Sequence, residues 1–193
     1  MKNLRTSTLI LALTAFLFTQ ANAQDTNTDA HDVVIGIPEV ALLDIESASG
    51  TSITLTPTAP TEAGSPISFA STTNTSLWLN YSSIIGSTTE ATRKVTAAIS
   101  AGTVPGGMLL KVQAAADAGS GDGTVGTAAG QITLSSSTQD FITGIGSCYT
   151  GDGAAKGHQL TYTLMLNPAA GNYANLDFDD ATTLTITYTL TNN

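Results

Sequence analysis

The 193-residue chain has one cysteine, one tryptophan, two histidines and only six lysines and arginines, and each shortage removes a class of protein. A lone thiol, Cys148, rules out an internal disulfide, so the stability of the fold has to come from packing. With His31 and His158 the only histidines, the chain has too few nitrogen and sulfur ligands for zinc or copper. Fifteen acidic residues outnumber the basic ones, and the sequence pI is about 4.2. Such a chain has no basic stripe for phosphate contacts and is repelled by anionic headgroups, so nucleic acid and membrane surfaces are poor partners. The one long apolar run, residues 9–18, is about half of the ~20 residues a spanning helix needs.

That run follows Lys2 and Arg5 and precedes Ala21-Asn22-Ala23, the layout of a secretory signal peptide cleaved after Ala23. Residues 1–23 are therefore set aside from the fold. The expected product is exported, to the periplasm, the cell surface or the medium, and the residue after the cleavage site is Gln24 rather than the cysteine that would carry a lipid. Residues 24–32 are polar and aperiodic and read as a flexible leader.

Threonine is what the chain has most of, 33 residues. It is β-branched and suits the exposed face of a sheet. Leu184, Ile186, Tyr188 and Leu190 alternate with five threonines, and Leu160, Tyr162, Leu164 and Leu166 repeat the arrangement; a period of two puts each apolar set on one face of a strand. Shorter alternations stand at Ile53/Leu55, Leu77/Leu79/Tyr81, Val95/Ala97/Ile99, Met108/Leu110/Val112 and Ile132/Leu134, with apolar stretches over residues 33–37, 40–45 and 141–145. Gly and Pro clusters punctuate them, residues 119–130 among these. Short strands between such clusters predict one all-β domain over residues 33–193, an antiparallel Ig-like β-sandwich.

No catalytic device is expected. Ser147 and Cys148 lie near His158 in sequence, but no Gly-x-Ser-x-Gly elbow accompanies them, and His158 in its Gly-rich loop reads as a surface or strand-flanking residue. Calcium, which takes oxygen ligands, is the one metal the composition allows; Asp117 and Asp122 in a Gly-rich turn are the weak candidates, alongside the acidic run Asp177, Asp179 and Asp180. None has EF-hand spacing, and turn chemistry accounts for them, so no cofactor is expected. Trp78, flanked by Leu77 and Leu79, is either core or a stacking platform for a carbohydrate, with core favoured. Cys148 reads as a small half-buried residue at a strand end.

The sharpest functional reading lies in residues 33–45. Val33, Ile35 and Ile37 share one face directly after the polar leader. Such a strand pairs either with its own sheet, as the first strand of the domain, or with the open edge of a neighbouring subunit, where main-chain hydrogen bonds supply affinity and alternate side chains fill pockets.

The signal peptide, the apolar N-terminal stretch, the terminal strand Leu184-Thr-Ile-Thr-Tyr-Thr-Leu190 and the paired strands around the Gly/Pro turn of residues 93–112 together resemble secreted bacterial pilin-type and spore-coat-U-like surface subunits. The resemblance covers most of the chain after residue 23. It implies a non-catalytic building block, exported, polymerised with itself or other surface subunits, and assisted by a periplasmic chaperone. The cysteine pair of many pilins is missing, and the chain ends Thr-Asn-Asn without their penultimate tyrosine. The alternative from the residues alone is a secreted module that binds carbohydrate through Trp78 or calcium through Asp117 and Asp122.

Overall fold

The computed structural model describes residues 27–169 and 171–193; the expected signal peptide and residues 24–26 of the leader lie outside them. The chain divides into two compact units, residues 1–36 and 37–193. In the first, the described residues 27–36 form neither helix nor strand, and Val33, Val34 and Ile35 are 71, 95 and 85% exposed. Ile37, at the start of the second unit, is equally bare. The strand expected through Val33, Ile35 and Ile37 is thus not formed among the described residues. Alternation makes a strand only where a partner edge accepts its hydrogen bonds, and Pro38 behind it has no N–H to offer.

The second unit is all-β. Among the described residues it contains β1 (Val40–Glu46), β2 (Thr73–Ile84), β3 (Arg93–Ala101), β4 (Met108–Asp117), β5 (Asp122–Ala128), β6 (Ile132–Thr133), β7 (Gln139–Tyr149), β8 (His158–Leu166) and β9 (Thr185–Asn192), with a 3-10 turn at Asn172–Asn175. Every ladder is antiparallel, and the strands follow two runs, β6-β4-β8-β2-β1 and β5-β7-β3-β9. The runs join where Ser82 and Ser83 of β2 pair with Tyr149 and Cys148 of β7. The result is sandwich-like, with β4 alongside β5 and β1 alongside β9.

The core follows the alternation. Leu77, Leu79 and Tyr81 of β2, Val95 and Ala97 of β3, Leu110 and Val112 of β4, Phe141, Ile142 and Ile145 of β7, and Leu160 and Tyr162 of β8 are all buried together. Fully burying a Leu, Ile or Phe contributes roughly 1.5–3 kcal/mol, and these strands carry most of the burial.

Two expectations are corrected. Residues 119–130 are not all turn, because β5 runs through them and pairs with β7. Gly123 and Gly126 sit at positive φ, 92° and 79°, the ladder shifts register between Gly123 and Val125, and a Cβ at Gly126 would lie 2.6 Å from the Thr143 carbonyl. Glycine here permits a bulge and a close backbone approach, not a turn. Conversely, Ile53 and Leu55 are half-buried against the core but belong to no strand, since residues 52–57 form no ladder.

Candidate assembly groove

β1 and β9 are both edge strands. Among the described residues β1 pairs only with β2 and β9 only with β3, which leaves each with an unpaired outer edge where the two lie alongside. Between them is an open groove of about 390 Å³, lined by Leu43, Asp44, Ile45 and Thr51 on one side and Ile186, Thr187 and Tyr188 on the other. Leu43, Ile45, Ile186, Tyr188 and Leu190 face the core yet remain only half-buried. A seam with apolar side chains, bordered by two strand edges that carry no ladder on their outer sides, is the surface an added strand would cover, although the Ile45 amide there already donates to Asp44 Oδ1 at 2.8 Å.

One end of the groove is fixed by Arg93, a residue to which the sequence pattern assigned no such role. Its guanidinium is 1% exposed. Nη2 donates to Glu39 Oε1 at 2.5 Å and Glu90 Oε2 at 2.7 Å, Nε donates to Asn192 Oδ1 at 3.2 Å, and Nη1 donates to the Val40 carbonyl. Longer contacts of 3.4 Å reach Ser83 Oγ and the Ile84 carbonyl. A planar fork with five donors suits such convergence. It ties the start of β1, the end of β2 and the end of β9 to β3. The available signal was an arginine at the head of the alternating run Val95/Ala97/Ile99 in a chain with few basic residues.

The catalytic candidates are not brought together as a reacting set. His158 is buried at the first position of β8, so of the surface or strand-flanking placement expected, the surface half is corrected. Nδ1–H donates to the Ala115 carbonyl at 2.9 Å, while Nε2 lies 2.8 Å from the Tyr81 hydroxyl, whose ring stacks on the imidazole at 5.6 Å and 15°. The Tyr81 hydroxyl also contacts the Val125 carbonyl. Both ring nitrogens are therefore used in joining β2, β4, β5 and β8. Ser147 Oγ accepts from the Ile85 amide at 3.2 Å. Cys148 is buried, and burial, with Asp117 adding to it, pushes its thiol up to about 11. A thiol so raised stays protonated at neutral pH.

Asp117 and Asp122 each use a carboxylate oxygen on a nearby turn amide, Gly119 N–H at 2.8 Å and Gly123 N–H at 2.7 Å. Among the described residues no group of three or more His, Cys, Asp and Glu side chains is placed to hold a metal ion. Trp78 is half-buried and, on the strand, points away from core residues Leu77 and Leu79, with Glu46 and Gln159 as its strand partners. The expectation that it lies in the core is corrected, because the neighbouring leucines take the inward positions. No helix among the described residues is long and apolar enough to cross a membrane.

No family model, curated protein or solved structure matches the chain. The functional reading accordingly rests on the geometry.

Proposed function

We propose that this chain is an exported, non-catalytic structural or adhesive subunit of a surface coat or filament, assembling when residues 33–37 of one copy enter the β1/β9 groove of another. The observation that carries the reading is the pairing of two complementary defects in one chain. The groove presents Leu43, Ile45, Ile186 and Tyr188 among polar Asp44, Thr51 and Thr187 and is edged by two strands paired on one side only, while Val33, Val34, Ile35 and Ile37 are apolar and bare. An added strand would satisfy its own backbone groups on a free edge and place Val33, Ile35 and Ile37 on one face. Each of these, if fully buried, contributes roughly 1.5–3 kcal/mol. The resemblance to pilin-type and spore-coat-U-like subunits supports the same reading, with an Ig-like domain, a periplasmic or surface location, and a periplasmic chaperone that covers the groove before assembly.

Light scattering after size exclusion on residues 24–193 tests it. The unaltered chain is expected to run as oligomers, and Ile35→Asp as a monomer with an unchanged melting temperature. A monomeric unaltered chain that stays monomeric at high concentration would overturn the proposal.

The half-buried Trp78 on the outer face supports a second reading, a carbohydrate-binding module. Quenching of its fluorescence by oligosaccharides, lost on Trp78→Ala, would favour that reading.

A further inference from the structure

Every arm is tethered three residues from the edge it would complete, so self-closure competes with assembly. We propose that Pro38 and Glu39, pinned by Arg93, prevent each arm from filling the groove of its own subunit and so reserve that groove for a second copy. This inference rests on the strand-donation reading above.

The argument is one of register. For residues 33–37 to turn back antiparallel onto β1 of the same chain, the connection must be made within Ile37, Pro38 and Glu39. A two-residue loop, Pro38-Glu39, opposes Ile37 to Val40, Ile35 to Leu42 and Val33 to Asp44. In β1, however, Leu43 and Ile45 face the core while Leu42 and Asp44 are exposed. All three apolar side chains of the arm would then point outward, because a one-residue change of register reverses every side chain. The turn itself is also wrong. Two-residue hairpins favour positive φ at the first loop position, and proline is held near −65°.

A three-residue loop, Ile37-Pro38-Glu39, corrects the face by setting Ile35 against Ala41 and Val33 against Leu43. It removes Ile37 from the strand, places proline at the second turn position, where it is disfavoured, and requires Glu39 in the left-handed region. Glu39 is not free to adapt. Its carboxylate lies 2.5 Å from Arg93 Nη2, and the carbonyl of the next residue, Val40, accepts from Nη1 of the same guanidinium. Glu90 and Asn192 hold that guanidinium independently of the arm. An arm arriving from another copy has no connecting loop, so its register is set by side-chain fit alone.

The test changes one residue of length. Replacing Pro38 by Asn-Gly keeps Glu39 and its ion pair, supplies a type I′ turn, and opposes Ile37, Ile35 and Val33 to Glu39, Ala41 and Leu43 on the core face. This variant is expected to run as a monomer by light scattering, with the amides of residues 33–37 protected from hydrogen exchange. Pro38→Asn, without the inserted glycine, retains the outward register and is expected to assemble like the unaltered chain. Assembly of the Asn-Gly variant to the unaltered extent, or a monomer with unprotected arm amides, would overturn the lock and leave strand donation standing. An unaltered chain that does not assemble would overturn both. A second measurement leaves the turn intact. Cysteines introduced by Val33→Cys and Leu43→Cys, which the core-facing register sets opposite each other, are expected to give a ladder of cross-linked copies on a non-reducing gel, whereas a single internally bridged monomer would overturn the lock.

Discussion

The two sides of the sandwich close differently. Next to β4 the segment that follows β6 stitches the layers with backbone hydrogen bonds, the Leu134 amide donating to the Leu110 carbonyl of β4 and the Ile99 amide of β3 to the Ser135 carbonyl, each at 2.8 Å. Leu110, Val112, Ala114 and Leu134 are consequently buried to 5% exposure or less. Tyr81 and His158 add a polar pin from β2 and β8 to the carbonyls of Val125 and Ala115. On the β1/β9 side no backbone bond joins the edges among the described residues, and Leu43, Ile45, Ile186 and Tyr188 stay half-buried. Both sides offer apolar residues in alternation; among the described residues only one has a further segment of chain covering them. An open edge is ordinarily an aggregation hazard, and here it coincides with an uncovered apolar arm.

The largest expected effect breaks the comparison at its centre. Phe141, fully buried on β7, should cost about 3–5 kcal/mol on truncation to alanine, because the site is surrounded and cannot collapse. Ile186→Ala, at the open seam, should cost only about 1–2 kcal/mol, since much of that side chain already meets water. Denaturant unfolding of both variants as monomers in the Ile35→Asp background checks this. Equal losses would mean that the seam is as well packed as the interior.

Alkaline titration sharpens the comparison less steeply. Burial raises the hydroxyls of Tyr81 on the closed side and Tyr188 on the open side above the ordinary 10.0, and raises the Cys148 thiol from 9.0 to about 11. In each case the folded state holds a proton that the unfolded chain gives up first. Their contribution is therefore whole below about pH 9 and is lost as pH climbs through and beyond the unfolded values. Thermal melts from pH 8 to 11 should show a falling midpoint, less steep in Tyr188→Phe, which removes one such group and its 2.7 Å hydroxyl contact with Tyr162.

The legible part of the fold was the part in which alternation and burial coincide. β2, β3, β4, β8 and β9 each show apolar residues every second position, and each lies where that pattern places it. β5 was hidden because glycine marks both turns and bulges, and only the register against β7 distinguishes them. Ile53/Leu55 and Val33/Ile35/Ile37 show the reverse failure. They carry strand periodicity without a ladder, because period two reports an extended backbone and says nothing of a partner edge. Within the candidate site the arm was legible as an apolar face, but its recipient was not. The groove arises from which edges the topology leaves open, and Arg93 draws its partners from Glu39, 54 residues away, and Asn192, 99 residues away. Buried polar groups such as His158 evade periodicity for the same reason, since Tyr81 stands 77 residues distant.

The smallest expected effect concerns Asp122, at the start of β5 on the closed side. Its residue is exposed, and its carboxylate Oδ1 accepts from the adjoining Gly123 amide at 2.7 Å. Such a contact is formed readily in the unfolded chain as well, so it distinguishes the two states weakly. Asp122→Ala should therefore alter stability by less than about 0.5 kcal/mol. The melting temperature of the unaltered chain should be the same with and without millimolar calcium. A calcium-dependent rise abolished by Asp122→Ala would show that the closed side is held by an ion as well as by packing, and would shift the functional weight toward the calcium-binding alternative. Gly123→Ala provides the contrast at the next position, where φ is 92° and a side chain would meet the Ser147 carbonyl. It should be far more damaging than Asp122→Ala, because this side depends on the backbone approach that glycine permits rather than on the neighbouring charge.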